Sequence, residues 1–228
     1  MIPLEDAVAT LQSQGNPEKA ADLRTYHKVD RPYFGVANPV LDAAAKTWRA
    51  DLTLEDRLTL AGALWDTNIH ECRLTAAKLL VQARIQPDNE AWTLIKGWVA
   101  QLDTAAIADQ VCNAGARRLT AMPTRLDEVE AWATSPDVWT RRASLVMTLP
   151  WTKLNNPKAD DLAARARVLD WAAAHAADPS QHIQRALSDW LKNLARHDAP
   201  RVRAFIDAYG ATMKPYARRD VSRKLPPV

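Results

Sequence analysis

Residues 137–147 read DVWTRRASLVM, and two further stretches share their pattern: HECRLTAAKLL at 70–80 and HIQRALSDWL at 182–191. In each stretch, apolar residues recur at spacings of three, four and seven around a small residue or an arginine, as in an amphipathic α-helix. Helix pairs containing such segments follow one another about every 35–40 residues, a period found in helical repeat proteins. The spacing is typical of HEAT-like repeats, in which stacking buries the apolar face that a single pair leaves exposed.

The rest of the chain also favours helices. Only 6 of the 228 residues are glycine, and no segment shows the strict alternation of a half-buried strand. Prolines fall near the breaks in periodicity, and Thr53, Asp103 and Ser180 stand where helix N-caps are expected. The sequence therefore predicts an all-α fold, a HEAT-like helical repeat solenoid of about 12–13 helices. An irregular helical bundle remains the alternative.

We expect one domain over 1–228, with N-terminal helices in 1–30 and basic C-terminal helices in 197–228. The formal net charge is +3, but residues 185–228 carry 10 Lys/Arg against 4 Asp/Glu, a net charge of +6. A basic segment of this kind favours a polyanionic partner, with the phosphate backbone of DNA as the leading candidate. A solvated helical surface would give the same composition.

Several classes of protein are disfavoured. No apolar run is long enough to span a membrane, and the N-terminus MIPLEDAVATLQSQG lacks the features of a secretory signal. Cys72 and Cys112 form no CxxC motif, so we expect neither a disulfide framework nor a zinc site. We expect the protein to lie in the reducing cytoplasm. The five histidines form no metal-ligand constellation, and glycine-rich phosphate loops are missing. We therefore expect no metal and no cofactor.

The chain contains 9 tryptophans, most of which fall on apolar helix faces typical of core residues. Four lie near polar or basic residues and helix ends: Trp98, Trp139, Trp151 and Trp190. Each of the four is individually more typical of a structural role. As a group near arginines and lysines, they also suit stacking against nucleotides.

Residues 102–115, LDTAAIADQVCNAG, place one acidic side chain among small ones. On a helix, Ile107 and Val111 share one face and can enter the core. Asp109 then points to the opposite side, together with Ala105, Cys112, Asn113 and Ala116. A carboxylate on a face of small residues can be approached closely by a ligand, although an ordinary solvated aspartate is the simpler interpretation.

Five segments, in order, resemble the AlkD-like DNA alkylation repair family over about residues 30–196. They are RPYFGVANPVLDAAAK, LWDTNIHECRLTAAKLL, LDTAAIADQVC, SPDVWTRRASLVM and HIQRALSDWLKNLAR. The resemblance implies a HEAT-like repeat protein that holds duplex DNA against a concave basic face. It also implies excision of cationic N3- and N7-alkylated purines by a monofunctional glycosylase that does not flip the base.

The resemblance assigns the catalytic aspartate to Asp109 and the active-site arginine to Arg142, with Arg141 as an out-of-register candidate. The family also has two DNA-facing tryptophans. In this chain their positions hold Ala105 and Asp189, so the sequence departs from the family pattern at the rings that would cradle the damaged nucleotide.

The side chains expected to contact DNA are Arg141, Trp139, Asp189, Trp190, Arg185 and Lys192. The first hypothesis for function is a glycosylase acting on duplex DNA. The second is a non-catalytic protein that recognises duplex or branched DNA. The third, a protein-interaction scaffold of the same fold, fits the basic C-terminal segment less well. We expect a monomer without an obligate protein partner.

Overall fold

The computed structural model of the chain describes residues 1–226, and every regular element in that range is helical. The all-α prediction is thus confirmed. Pro227 and Val228, the last residues of the predicted 1–228 domain, lie outside the described residues. Contacts within the chain define two compact units, Met1–Arg118 and Leu119–Val228; the single domain remains a prediction.

Unit 1 contains seven helices, the last of which continues past its boundary. They are α1 (Leu4–Gln12), α2 (Pro17–His27), α3 (Asn38–Asp51), α4 (Leu54–Asp66), α5 (His70–Leu79), α6 (Asn89–Val99) and α7 (Ala105–Ala121). Helix α5 packs against both α3 and α4, and all ten of its residues are buried. The predicted cap Thr53 accepts a hydrogen bond from the Asp56 backbone N–H at 3.1 Å, which fixes the start of α4.

Unit 2 begins with a short 3-10 turn, Pro123–Arg125. Its helices are α8 (Leu126–Trp132), α9 (Val138–Met147), α10 (Leu149–Thr152), α11 (Ala159–His175), α12 (Gln181–Ala195), α13 (Ala199–Tyr209) and α14 (Pro215–Ser222). Helix α12 packs against α9, α10, α11, α13 and α14. It is capped by Ser180, as predicted, whose hydroxyl accepts from the His182 backbone N–H.

Residues 1–226 hold fourteen α-helices, one more than the 12–13 predicted. The unpredicted helix is α10, a single four-residue turn at one of the prolines that lie near the breaks in periodicity. Pro150 lies in the first turn of α10, where a missing N–H leaves no hydrogen bond unmade. The same residue type therefore begins a helix here.

Some of the basic residues are inside the protein. Arg118 is fully buried, where its guanidinium donates to the backbone carbonyls of Gln82, Ala83 and Ile85. Arg165 is 1% exposed and donates to the Trp151 carbonyl at 2.6 Å. These arginines donate to carbonyls in the loop after α5 and at the end of α10. Such positive charges are not available at the surface.

In the part of the chain that the structure describes, no helix combines the length and apolar character needed to cross a bilayer.

Candidate nucleic-acid interface

Helix α7 presents its acidic residue to solvent. Ile107 and Val111 are fully buried, as predicted from their spacing. Ala105, Asp109 and Asn113 are exposed, and their spacing of four residues places them on one face of the helix. The Asp109 carboxylate therefore lies on an accessible face with a methyl group one turn before it.

The predicted composition of that face is wrong at two positions. Cys112 is fully buried and Ala116 is 7% exposed, so neither lies beside Asp109 at the surface. The helical period places both residues on the Asp109 side of α7, so tertiary packing rather than their position on the helix buries them.

The start of α7 is held by two arginines. Asp103, predicted as an N-cap, instead forms an ion pair with Arg31 and lies 3.9 Å from the Arg73 guanidinium. Arg73 also stacks over the Trp65 ring, with its guanidinium carbon 4.6 Å from the ring centroid. Burial lowers the pKa of Arg73. These contacts fix the turn of α7 that precedes Asp109.

A buried carboxylate that the sequence reasoning missed holds the loop before α3. Glu71 is fully buried, and its carboxylate accepts hydrogen bonds from the backbone N–H groups of Phe34 at 2.9 Å, Gly35 at 2.7 Å and Val36 at 3.3 Å. Gly35 has φ +75°, and a Cβ there would collide with the Asn16 backbone, so only glycine fits. The Phe-Gly-Val segment of the family resemblance thus has a structural role, because it attaches the loop before α3 to Glu71 on α5.

In unit 2, helices α9 and α12 bring aromatic and basic side chains together. The rings of Trp139 and His182 lie 4.4 Å apart with a tilt of 37°, and the Arg142 guanidinium carbon is 5.9 Å from the Trp139 ring centroid. Arg185 follows His182 by three residues on α12 and is exposed. We name these four side chains, Trp139, Arg142, His182 and Arg185, the α9–α12 surface.

His182 was not predicted as a site residue, although its spacing of three from Arg185 places the two on one helix face. Burial, followed by the positive charges of Arg142 and Arg185, lowers the pKa of His182. Its imidazole is therefore neutral at pH 7. A neutral heterocycle beside an indole and two guanidinium groups is a chemistry suited to nucleotides.

Arg141, predicted to contact DNA, is committed to contacts within unit 2. Its guanidinium donates to the backbone carbonyls of Ser135 at 2.8 Å and Pro136 at 2.9 Å. It also pairs with Asp178 at 3.2 Å. Since these bonds engage the guanidinium group on several sides, Arg141 holds the loop before α9. Its contact with DNA stays a prediction.

Trp190, predicted to contact DNA, is corrected to a core residue. Its side chain is fully buried, and its indole N–H donates to the Thr148 hydroxyl at 3.1 Å. Trp98 and Trp151 are each 3% exposed, so three of the four tryptophans singled out for nucleotide stacking lie in the core. Only Trp139 of that group retains partial exposure.

Replacing Trp190 with phenylalanine is expected to lower the free energy of unfolding by about 2 kcal/mol, because the hydrogen bond to Thr148 and part of the buried ring volume are lost. Trp190→Ala should cost about 3–5 kcal/mol, because it leaves a cavity. Urea unfolding measures both values. We expect the phenylalanine variant to bind DNA like the wild type in fluorescence anisotropy; weakened binding at unchanged stability would contradict the structural role.

Asp189 and Lys192, both predicted to contact DNA, form an ion pair on α12 with 2.7 Å between Nζ and Oδ1. The Asp189 side chain is 58% exposed and that of Lys192 is 29% exposed, so both remain reachable from solvent. Within residues 1–226, no group of three or more His, Cys, Asp or Glu side chains is arranged to hold a metal ion.

Three solved structures share the fold over nearly the whole chain. A predicted DNA alkylation repair enzyme from Enterococcus faecalis is 20% identical, with a TM-score of 0.77 over 96% of this chain and 100% of the other. AlkD2 from Streptococcus mutans is 14% identical, with a TM-score of 0.70 over 99% and 100%. A protein described as belonging to a family related to the HEAT-like repeat DNA glycosylases, with affinity for branched DNA structures, is 16% identical, with a TM-score of 0.71 over 98% and 94%.

These similarities establish the HEAT-like repeat fold for this chain, as predicted. The model of the family described as DNA alkylation repair enzyme matches residues 7–225, nearly the full length. The chain therefore belongs to the DNA alkylation repair enzyme family. Comparison with curated proteins gives no match.

Proposed function

We propose that this protein is a DNA repair glycosylase that hydrolyses the N-glycosidic bond of cationic N3- or N7-alkylated purines in duplex DNA without base flipping. The observation that carries the proposal is the exposed Asp109 carboxylate on a face of α7 with Ala105 and Asn113 on either side. Small neighbours leave room for a bulky substrate to approach the carboxylate. Family membership supports the same reaction.

The chemistry needs no cofactor. Alkylation at N3 or N7 gives the purine a positive charge, so the base leaves as a neutral molecule when it takes the electron pair of the C1′–N bond. Positive charge then develops on the deoxyribose, and the Asp109 carboxylate stabilises it electrostatically. A water oxygen adds to C1′ and its proton passes to solvent, which completes hydrolysis.

The α9–α12 surface supplies the DNA-binding side of the proposal. Arg142 and Arg185 can contact phosphates, which sets affinity and register without reading sequence. Trp139 and His182 offer flat surfaces beside those cations. Arg142, which the resemblance assigns as the active-site arginine, would act by contacting the DNA backbone beside the damaged nucleotide. We further propose that the protein acts as a monomer on DNA in the cytoplasm.

The paired substitution Arg142→Ala and Arg185→Ala is expected to weaken duplex binding uniformly across sequences. The slope of log K against log salt concentration should fall by about 2, since each lost phosphate contact removes about 0.9. Anisotropy titrations over a salt series measure the slope. The control removes two exposed charges elsewhere, Lys46 on α3 and Lys153 directly after α10. If both pairs change the slope equally, the surface has no special role.

A second candidate function is recognition of DNA structure without catalysis. It is favoured by Ala105 and Asp189, the exposed, non-aromatic residues at the positions of the family's two DNA-facing tryptophans. Trp98 and Trp190 are buried, so their rings cannot replace those tryptophans. One solved relative is described as having affinity for branched DNA structures. Binding to a four-way junction without release of 7-methylguanine or 3-methyladenine would establish this function in place of the first.

A further inference from the structure

The C-terminal end of α12 forms a charged notch, and its side chains have no role in the α9–α12 surface. Its volume is about 180 Å³, and its lining side chains are all polar: Asp189, Lys192, Asn193, Arg196 and Lys224. Three of them lie on α12 and Arg196 is its C-cap. Lys224 follows α14, which packs against α12. Three cations therefore converge on a space that contains a single carboxylate.

The partners of these side chains show which of them are available. Lys192 is paired with Asp189, and the Asn193 amide is oriented by donating to the Asp189 backbone carbonyl at 2.8 Å. Arg196 and Lys224 are exposed. Within residues 1–226, neither of these two side chains forms an ion pair. The notch thus holds two uncompensated positive charges and a third that is compensated only by Asp189.

We propose that this notch binds a phosphate group of the DNA backbone through Lys192, Arg196 and Lys224. Asp189 is the internal competitor: it holds Lys192 until the phosphate takes its place. Guanidinium and ammonium groups are strong donors to phosphate oxygens, and a tetrahedral anion fits the volume with its hydrating water. The choice of DNA as the source of the phosphate rests on the proposed function.

The notch and the α9–α12 surface contact different phosphates. Arg185 on α12 and Arg196 at its C-cap are eleven residues apart, about 16 Å at 1.5 Å per residue. One phosphate cannot bridge that distance. DNA bound at both places would therefore run along the exposed face of α12.

The test of the notch is charge reversal in the full chain. Arg196→Glu with Lys224→Glu should lower the slope of log K against log salt by about 2 and weaken duplex binding at least tenfold at low salt. The control reverses the exposed charges of Lys46 and Lys153. Circular dichroism checks folding, and the neutral Arg196→Gln, Lys224→Gln pair replaces the reversal if it does not fold. A wild-type slope in the notch variant would overturn the proposal.

Asp189→Asn tests the competitor. Freeing Lys192 should strengthen duplex binding about threefold and raise the slope by up to about 1. Unchanged or weaker binding would show that Asp189 does not compete with phosphate.

A second measurement separates failure of the notch from failure of the proposed function. Inorganic phosphate titrated into the protein should shift the Arg196 and Asn193 side-chain NMR signals, and the shift of the Asn193 signal should vanish in the Arg196→Glu, Lys224→Glu variant. If the wild type does not bind DNA at all, such shifts still support an anion site, whereas their absence overturns it. Phosphate shifts combined with a wild-type DNA slope in the variant would exclude the DNA backbone as the source.

Discussion

Asp109→Asn is expected to reduce release of 7-methylguanine and 3-methyladenine from duplex DNA by about 10²–10³-fold, the range found when one stabilising group is removed from a transition state. The amide keeps the size of the side chain but carries no charge, so it cannot stabilise the developing positive charge on the deoxyribose. DNA affinity should be retained or slightly increased, because one negative charge near the phosphates is lost.

Single-turnover assays with enzyme in excess measure base release separately from binding. Asp22→Asn is the matched control, since it removes an exposed carboxylate from α2 in the same unit. Release by the Asp109 variant at the wild-type rate would contradict a catalytic role for this carboxylate. If the wild-type protein releases neither base, catalysis as proposed is excluded and DNA-structure recognition becomes the function to pursue.

Glu71→Ala is expected to lower the free energy of unfolding by about 3–5 kcal/mol, the cost of removing one partner from a buried charged group. Three backbone N–H groups, those of Phe34, Gly35 and Val36, would lose their acceptor. Glu71→Gln should cost less, because one side-chain oxygen remains to accept at nearly the same place.

Urea denaturation followed by circular dichroism measures both variants. Glu90→Ala serves as the control, because it removes an exposed carboxylate from α6 and should change the free energy of unfolding by less than about 0.5 kcal/mol. Equal destabilisation by the Glu71 and Glu90 substitutions would contradict the role of Glu71 in holding the loop before α3.

The helices were predictable because their signals are local. The cap at Thr53 and the buried positions Ile107 and Val111 follow from residues within one or two turns of one another. The exposure of Asp109 followed from the same periodicity. The short helix α10 was not predicted, because its four residues are too few to show a helical period.

The candidate site was only partly predictable. Trp139, Arg142 and Arg185 were named from the sequence, but His182, which lies against Trp139, was missed. Its signal was present in its spacing from Arg185 along α12. No comparable signal marks Glu71, whose role depends on backbone groups 35–37 residues earlier in the chain.

Sequence alone determined that this chain is helical, repeat-like and a relative of DNA alkylation repair enzymes, because periodicity, capping and motif order are written along the chain. Tertiary structure alone decided which charges and rings remain accessible. Trp190 is buried and bonds to Thr148, 42 residues away. Arg118 donates its hydrogen bonds to carbonyls 33–36 residues away. Accessibility is set by the neighbours that packing brings together, and a helical period specifies only which face is covered, not what covers it.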